Sequence, residues 1–369
     1  MNICNANVFI EGRFQHGGIA FSDRIEAIGP DVTDGFDAQG GYLIPGLVDV
    51  HTHAAVGEDA SDGSAEGMEK LSRYYAAEGV TAWCPTTMTL QEPELTRAMH
   101  AVRDFVRPAD GAKIAGVHLE GPFLSLKKCG AQNPDNLHAP DVDLFRRLNE
   151  ASGNRVKLVT VAPEEPNAME FIKEVSKVCT VSLGHTTASY DVAREAYANG
   201  ATHATHLFNA MPPLNHREPG VIAAAMDAGA TVELIPDGLH IHPAVIRLTH
   251  RLFGEKLVLI SDSLRCAGMP DGDYELGGQP ITMKNGKATL TGTDTLAGSS
   301  IHLMEGLRRA VRFGVPLEAA VTAATLTPAK AIGMEDSLGV LRPGRAADFV
   351  LLDEALRVRS VWIDGVRLF

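Results

Sequence analysis

The chain has 369 residues, of which 45% are hydrophobic and 21% are charged, as in an ordinary soluble globular protein. Its 46 acidic and 33 basic residues leave a formal net charge of −13, which argues against a nucleic-acid partner. The apolar runs are too short and too interrupted to cross a bilayer, so we expect no membrane segment and no signal peptide. Five scattered cysteines suggest no disulfide framework and favour the reducing cytoplasm.

Apolar, β-branched runs alternate with helical patterns through the middle of the chain. The predicted strands are residues 43–50, 81–84, 113–119, 156–161, 179–183, 202–207, 231–235 and 256–260. The predicted helices are residues 67–78, 92–106, 141–152, 168–177, 191–199 and 243–252. This alternation predicts an α/β fold, a parallel (β/α)8 TIM barrel. The alternative is an open doubly wound sheet, but no Gly-rich phosphate fingerprint follows the first strand.

The two ends of the chain differ from the middle. Residues 1–44 contain short strand patterns separated by turn residues and show no helical period, and residues 336–369 repeat that character. We therefore expect both ends to form one small β-sandwich domain, with residues 45–335 forming the barrel.

A His-x-His pair ends the first predicted barrel strand. Residues i and i+2 of a strand face the same side, so His51 and His53 present their imidazoles together and can begin a transition-metal site. The pair alone is weak evidence, because His240 and His242 form a second pair by the same spacing. The interpretation depends on whether other strands deliver further ligands.

Other predicted strands end in residues that bind metals or move protons, at the face where barrel enzymes place their chemistry. The candidate metal ligands are His51, His53, Glu120, His185, His206 and Asp262. Two divalent ions bridged by a carboxylate can lower the pKa of water toward neutrality, which suits hydrolysis. Glu120 is placed to bridge, with His51, His53 and Asp262 on one ion and His185 and His206 on the other.

Two of the strand-end residues also have predicted catalytic roles. Asp262 can act as the general base and then the general acid, and His240 can hydrogen-bond the substrate or polarise its carbonyl group. His203 lies three residues before His206 and faces the opposite way within a strand, so we assign it a structural role.

Several longer motifs identify a family. They are PGLVDVHTH at 45–53, HLEGPF at 118–123, GHT at 184–186, THLFNAM at 205–211, HREPG at 216–220, DGLH at 237–240, AGMPDG at 267–272 and LAGS at 296–299, together with Asp262. Over nearly its whole length the chain resembles the N-acetylglucosamine-6-phosphate deacetylases of the amidohydrolase superfamily.

The resemblance implies a reaction, a cofactor and an assembly. Enzymes of this family remove the acetyl group from the 2-acetamido group of a 6-phosphorylated amino sugar and release acetate. Because both first-strand histidines are present, we expect two divalent ions per chain, which could be zinc, iron, manganese or cobalt. The family also implies a homodimer.

The resemblance also assigns the contacts to the substrate. Asn209 and Ala210 would offer main-chain contacts to the phosphate, and Arg217 would reach the phosphate in the neighbouring subunit. The sugar and acetyl pocket would be completed by Ala131, Gln132, Leu296, Ala297 and Gly298. Gln132 departs from the pattern, because other members carry histidine there.

Three other functions remain as alternatives. A deacetylase for N-acetylgalactosamine 6-phosphate would have the same metal site. A cyclic amidase such as a dihydroorotase usually bridges its metals with a carboxylated lysine after strand 4, and residues 159–164 contain no lysine. An alternative of a different class is a catalytically inactive scaffold on the same fold, although such proteins typically lose ligands that are intact here.

Overall fold

The computed structural model describes all 369 residues, Met1–Phe369. The chain begins with five strands, β1 (Asn2–Ile10), β2 (Arg13–Phe21), β3 (Ile25–Gly29), β4 (Phe36–Asp37) and β5 (Tyr42–Pro45). β1 pairs antiparallel with β2 and parallel with β4 and β5. These strands form most of a mixed sheet that the end of the chain completes.

The middle of the chain forms the barrel. Its strands and the small strands between them are β6 (Leu47–Thr52), β7 (Ala54–Ala55), β8 (Glu58–Asp59), β9 (Val80–Thr87), β10 (Lys113–Ile114), β11 (Val117–Glu120), β12 (Val156–Val161), β13 (Thr180–Leu183), β14 (His203–Ala204), β15 (Thr231–Leu234) and β16 (Leu257–Leu259). Eight parallel strands follow in the order β6, β9 and β11 to β16. The Asp262 N–H donates to the His51 carbonyl at 2.9 Å, just beyond the ends of β16 and β6. The predicted (β/α)8 barrel is confirmed.

Ten helices accompany these strands. They are α1 (Ala65–Ala77), α2 (Glu92–Asp104), α3 (Val142–Ala151), α4 (Ala168–Val175), α5 (Tyr190–Ala198), α6 (Gly220–Ala228), α7 (Pro243–Phe253), α8 (Leu303–Arg312), α9 (Leu317–Ala324) and α10 (Leu326–Ala331). The side chains of Ser64, Asp141 and Ser189 cap α1, α3 and α5 by accepting from backbone N–H groups. The helices contribute to a hydrophobic core of 66 buried residues. None of them is long and apolar enough to cross a membrane.

A three-stranded antiparallel sheet interrupts the chain after the last barrel strand and was not predicted. It consists of β17 (Gly272–Leu276), β18 (Gln279–Lys284) and β19 (Lys287–Leu290). Its buried residues share a small apolar cluster with Met88, Leu264 and Ala297. This sheet therefore packs on loops at the C-terminal ends of the barrel strands.

The chain returns to the first sheet at its end. The strands β20 (Phe349–Leu352), β21 (Val358–Ile363) and β22 (Val366–Arg367) extend that sheet, and β20 pairs antiparallel with β5. Buried side chains from both chain ends, among them Phe21, Phe349 and Trp362, share one separate core. The prediction that the two chain ends form one β structure is confirmed as a single mixed sheet.

Two of the predicted strands are each divided in the structure. Residues 43–50 separate into β5 and β6 at Gly46, and residues 113–119 separate into β10 and β11. A Cβ atom on Gly46 would lie 2.0 Å from Oγ1 of Thr81, so the backbone approaches β9 more closely than any side chain permits. The division lets one apolar run serve both the small sheet and the barrel.

Candidate active site

The six predicted metal ligands meet at the C-terminal ends of the barrel strands. His51 lies in β6 with His53 just beyond it, Glu120 ends β11, and His185, His206 and Asp262 follow β13, β14 and β16. All six are buried. His185, His206 and Asp262 have positive φ angles of 47°, 27° and 48°. The backbone thus leaves each strand in a conformation that non-glycine residues rarely adopt and that is common at functional sites.

Four of these side chains form the first half of the cluster. The Nε2 atoms of His51 and His53 are 3.3 Å apart, and Oδ1 of Asp262 lies 3.5 Å and 3.3 Å from them. Glu120 adds Oε1 at 3.5 Å from His51 and Oε2 at 3.3 Å from His53. Ligand atoms bound tetrahedrally at about 2.0–2.1 Å from one ion are separated by about 3.3 Å. These four groups therefore have the spacing of ligands around a single cation.

The second half of the cluster shares Glu120 with the first. The Nε2 atoms of His185 and His206 are 3.0 Å apart, and Oε1 of Glu120 lies 3.4 Å and 3.1 Å from them. This Oε1 atom is buried and has no hydrogen-bond partner. Glu120 can bridge two cations, because its carboxylate contacts histidines of both halves.

The pKa shifts point to an excess of negative charge in the cluster. Burial alone would lower the pKa of His51, but Glu120, Glu233 and Asp262 outweigh it and raise the pKa well above its usual value. Burial also acts to lower the pKa of His53, yet Asp262 and Glu120 raise it to about 9. The carboxylates thus stabilise positive charge at positions where divalent cations would supply it. The donor set, the spacing and the unpaired Glu120 oxygen fit a dinuclear metal site.

Groups behind the ligands orient the imidazole rings. His53 donates from Nδ1 to the Thr86 carbonyl at 3.2 Å, and His185 donates from Nδ1 to the Lys128 carbonyl at 2.8 Å. In each ring, a proton on Nδ1 leaves the Nε2 lone pair free for a metal.

A cavity of about 370 Å³ opens above the cluster. His53, Glu120, His185, His206 and Asp262 line it, whereas His51 is fully buried beneath. Seven of the predicted substrate contacts also line this cavity, namely Ala131, Gln132, Asn209, Ala210, His240, Leu296 and Gly298. The structure brings most of the predicted site together in one chain.

Two of the predicted substrate contacts lie outside the cavity lining. Ala297 is completely buried, between two residues that do line the cavity. Arg217 is exposed, and its side chain has no hydrogen-bond or ion-pair partner within the chain. A single chain therefore does not bring Arg217 to the cavity.

His240 is held by a neighbouring carboxylate that had no assigned role. Its Nδ1 atom donates to Oδ2 of Asp237 at 2.7 Å, and Oδ1 of Asp237 accepts from the backbone N–H groups of Leu239 and His240. Burial opposes protonation of His240, but Asp237 outweighs it and raises the pKa of the imidazole. Because Nδ1 is bonded to Asp237, Nε2 is the nitrogen of His240 that remains available to a molecule in the cavity.

Gln132 contacts the bridging carboxylate. Its Nε2 atom donates to Oε2 of Glu120 at 2.8 Å, and its Oε1 atom accepts from the backbone N–H of Thr89 at 2.7 Å. Gln132 is buried and also lines the cavity. The side chain is thus positioned to orient Glu120 as well as to border the substrate pocket.

Sequence reasoning missed Glu233, a fully buried carboxylate on β15. It accepts from Nδ1 of His51 at 2.8 Å and from Nε2 of His203 at 3.1 Å. The strand pattern placed His203 on the opposite side from His206, whereas its ring contacts the same carboxylate that holds His51. The available signal was an acidic residue in the middle of the otherwise apolar run 231–235.

His118 lies deeper in the barrel and is not among the ligands. Nδ1 and Nε2 of its ring contact the Val50 carbonyl at 3.2 Å and Oγ1 of Thr160 at 2.8 Å. Burial lowers its pKa to about 3, so the ring is neutral in the barrel core.

Residues 42–368 match the model of the Amidohydrolase family. The N-acetylglucosamine-6-phosphate deacetylase of Bacillus subtilis (strain 168) is 37% identical over 324 residues, which cover 86% of this chain and 82% of that protein. The N-acetylgalactosamine-6-phosphate deacetylase of Escherichia coli O157:H7 is 35% identical, over 92% of this chain and 90% of that protein.

A solved structure is similar over the whole chain. It is an aspartate-to-alanine mutant of N-acetyl-D-glucosamine-6-phosphate deacetylase from Mycobacterium smegmatis in complex with N-acetyl-D-glucosamine-6-phosphate. It superposes with a TM-score of 0.95 at 34% sequence identity and covers 100% of this chain and 99% of that one.

Proposed function

The chain belongs to the amidohydrolase family, and from that premise we propose that it hydrolyses the 2-acetamido group of N-acetyl-D-glucosamine 6-phosphate to D-glucosamine 6-phosphate and acetate. The observation that carries the proposal is the cluster of six buried candidate ligands, five of which line a cavity large enough for a small substrate. Relatives named for this reaction, at 37% and 36% identity, support it.

The residues of the site have complementary roles in this reaction. A bound divalent metal would supply Lewis acidity and lower the pKa of water toward neutrality. Asp262 would accept a proton from the attacking water and then deliver it to the nitrogen that leaves as the amine. His240, fixed through Nδ1 by Asp237, would hydrogen-bond the acetamide oxygen from Nε2, where negative charge develops.

The phosphate would occupy the part of the cavity beside Asn209 and Ala210. Lys127 and Lys128 are the only lysine or arginine residues that line the cavity, and the Lys128 Nζ atom lies 3.4 Å from the Met211 carbonyl, next to Ala210. Their ammonium groups supply local positive charge in a chain whose net charge is −13. Arg217 would complete this end of the pocket from the second subunit of a homodimer.

The metal content is a separate part of the proposal. We expect two divalent ions per chain, because His51 and His53 complete the first half of the cluster. Elemental analysis of the purified protein tests this number, and one ion per chain would contradict it. A cytoplasmic location is also proposed, since five scattered cysteines suit a reducing compartment.

A second candidate substrate is N-acetylgalactosamine 6-phosphate, which the Escherichia coli relative at 35% identity favours. The deciding experiment measures amine release from both 6-phosphorylated epimers by the metal-loaded protein. We expect the larger kcat/KM with the glucosamine epimer. A larger value with the galactosamine epimer would support the second candidate, and no release from either would favour an inactive scaffold.

A further inference from the structure

Glu233 is a buried carboxylate that contacts both halves of the metal-ligand cluster without belonging to it. Its side chain has no exposed surface. Oε2 accepts from Nδ1 of His51 at 2.8 Å and from the backbone N–H of His206 at 3.0 Å. One oxygen atom of Glu233 therefore links a ligand of the first half to a ligand of the second.

The contact to His51 determines which ring nitrogen is free. A carboxylate accepts only, so Nδ1 of His51 carries the hydrogen in this contact. Nε2, the atom 3.3 Å from Nε2 of His53, then presents its lone pair to the ligand cluster. His53 and His185 have neutral backbone carbonyls in the equivalent position, and Nδ1 of His206 has no hydrogen-bond partner. His51 is thus the one ligand whose imidazole is oriented by a charged group.

The contact to His206 acts on the backbone. His206 has a φ of 27°, which is strained for a residue with a Cβ atom. The hydrogen bond from its N–H to Glu233 helps to hold this conformation, in which Nε2 lies 3.1 Å from Oε1 of Glu120. Glu233 is itself held by Nε2 of His203, whose Nδ1 contacts Oγ1 of Thr231 at 2.5 Å.

The charge of Glu233 matters as well as its geometry. Two divalent ions would bring four positive charges into a buried site in which Glu120 and Asp262 are the only carboxylate ligands. Burying uncompensated charge is costly, so a third carboxylate just behind the ligands stabilises the loaded site.

We infer that Glu233 is a positioning residue that holds His51 and His206 in metal-binding geometry and thereby allows the chain to retain two ions. This inference rests on the metal-dependent reaction proposed above. In this role Glu233 does not contact the substrate, and its removal should mainly lower the affinity for metal.

The test compares Glu233→Gln with Val232→Ala by titration of the metal-free proteins with Zn²⁺ against a competing chelator. The glutamine side chain keeps the volume but removes the charge and one acceptor. We expect the dissociation constant of the more weakly held ion to rise about ten- to a hundredfold, the usual effect of losing a group that orients a ligand. Val232→Ala is the matched control, because it shortens a buried apolar side chain on the same strand and leaves the carboxylate and its hydrogen-bond partners in place.

Two results of the titration would overturn the inference. One is a Glu233→Gln protein with unchanged Zn²⁺ affinity and two ions per chain. The other is an equal loss in both variants, which would indicate general loosening of β15. The titration contains no substrate, so a chain that binds Zn²⁺ as expected but deacetylates neither sugar would refute only the proposed function. A wild-type chain that binds no Zn²⁺ would overturn both.

A measurement on the wild-type protein remains decisive if Glu233→Gln does not fold. NMR of ¹⁵N-labelled histidines in the Zn²⁺-loaded protein reports the protonated nitrogen of His51, assigned from the signal missing in His51→Gln. We expect the proton on Nδ1, and a proton on Nε2 would overturn the inference.

Discussion

The two roles proposed for Asp262, holding a metal and moving a proton, depend on where its backbone turns. It follows β16 with a φ of 48°, and this turn brings Oδ1 to within 3.5 Å of two histidines while the side chain borders the cavity. Burial would raise the pKa of its carboxyl, but His51 and His53 outweigh that effect and lower it. The group is therefore an ionised acceptor before the reaction begins.

We expect Asp262→Asn to lower kcat by about 10²–10⁴-fold, because the amide cannot accept the proton from water. The substitution keeps the shape of the side chain, so the midpoint of thermal unfolding of the metal-free protein should stay close to that of the wild type. Steady-state kinetics and calorimetry check the two expectations. Near-normal turnover would remove Asp262 as the proton carrier.

Arg217 is expected to act on binding rather than on chemistry. Arg217→Ala should raise KM for the 6-phosphorylated sugar by about tenfold or more, the effect of losing a charge-assisted contact of about 1.5–3 kcal/mol. The unphosphorylated sugar should be almost unaffected. Arg342→Ala is the control, since it removes the same charge from an exposed loop beside Pro45, at the opposite end of the barrel. Equal effects on both sugars would contradict the phosphate role.

That the six candidate ligands lie together was predictable from the sequence, whereas the groups that hold them in place were not. His51 and His53 follow from the two-residue period of a strand, and His185, His206 and Asp262 follow from their positions beside strand ends. Their left-handed backbone angles do not follow, because only tertiary contacts stabilise them. Glu233 was missed because its partner His51 is 182 residues away, so no local pattern joins them.

At the scale of elements, the spacing of hydrophobic residues predicted the barrel correctly, but some of the predicted strand boundaries were wrong. The strand Val156–Val161 is observed as predicted, because it is a continuous apolar run with clear ends. The run 43–50 is equally apolar, yet Gly46 divides it. The sheet β17 to β19 escaped prediction because its strands are half exposed and their alternation of polar and apolar residues is weak.

The close approach at Gly46 predicts a specific loss of stability. Gly46→Ala should lower the free energy of unfolding by about 1–3 kcal/mol, the usual cost of overpacking, because the new Cβ meets Thr81. Gly272→Ala is the control, since a Cβ there meets nothing closer than 3.8 Å. Urea unfolding measures both.

Thr81→Ala should reduce part of this penalty, because it removes the two Thr81 atoms closest to the new Cβ. The double variant should therefore lose less unfolding free energy than the two single variants lose in total. If the two losses of unfolding free energy simply add, contact with Thr81 is not the reason that glycine is required at position 46.

At the scale of the whole molecule, one chain brings together all the residues of the proposed catalytic part but not all those of the proposed phosphate part. The six candidate metal ligands, His240 and both cavity lysines meet within one chain. Arg217 has no partner within that chain and lies outside the cavity lining. If a second subunit supplies Arg217, two damaged chains can form one intact site.

We therefore expect hybrid dimers of Arg217→Ala and Asp262→Asn chains to regain activity. The cavity of the Arg217→Ala chain keeps Asp262 and receives Arg217 from its partner, whereas the other cavity lacks both. Random pairing of equal amounts should restore about one quarter of the wild-type sites, because half the dimers of a two-fold assembly are hybrids with one intact site each. The measurement is activity at substrate concentrations well below KM after co-refolding.

A matched mixture separates this explanation from simple stabilisation by pairing. His240→Ala and Asp262→Asn remove two groups of the same cavity, so their hybrids contain no intact site and should show no recovery. If the first mixture is no more active than its two components measured separately, Arg217 does not act in the neighbouring site. If activity recovers in the first mixture and not in the second, the arginine of one chain must act in the cavity of the other.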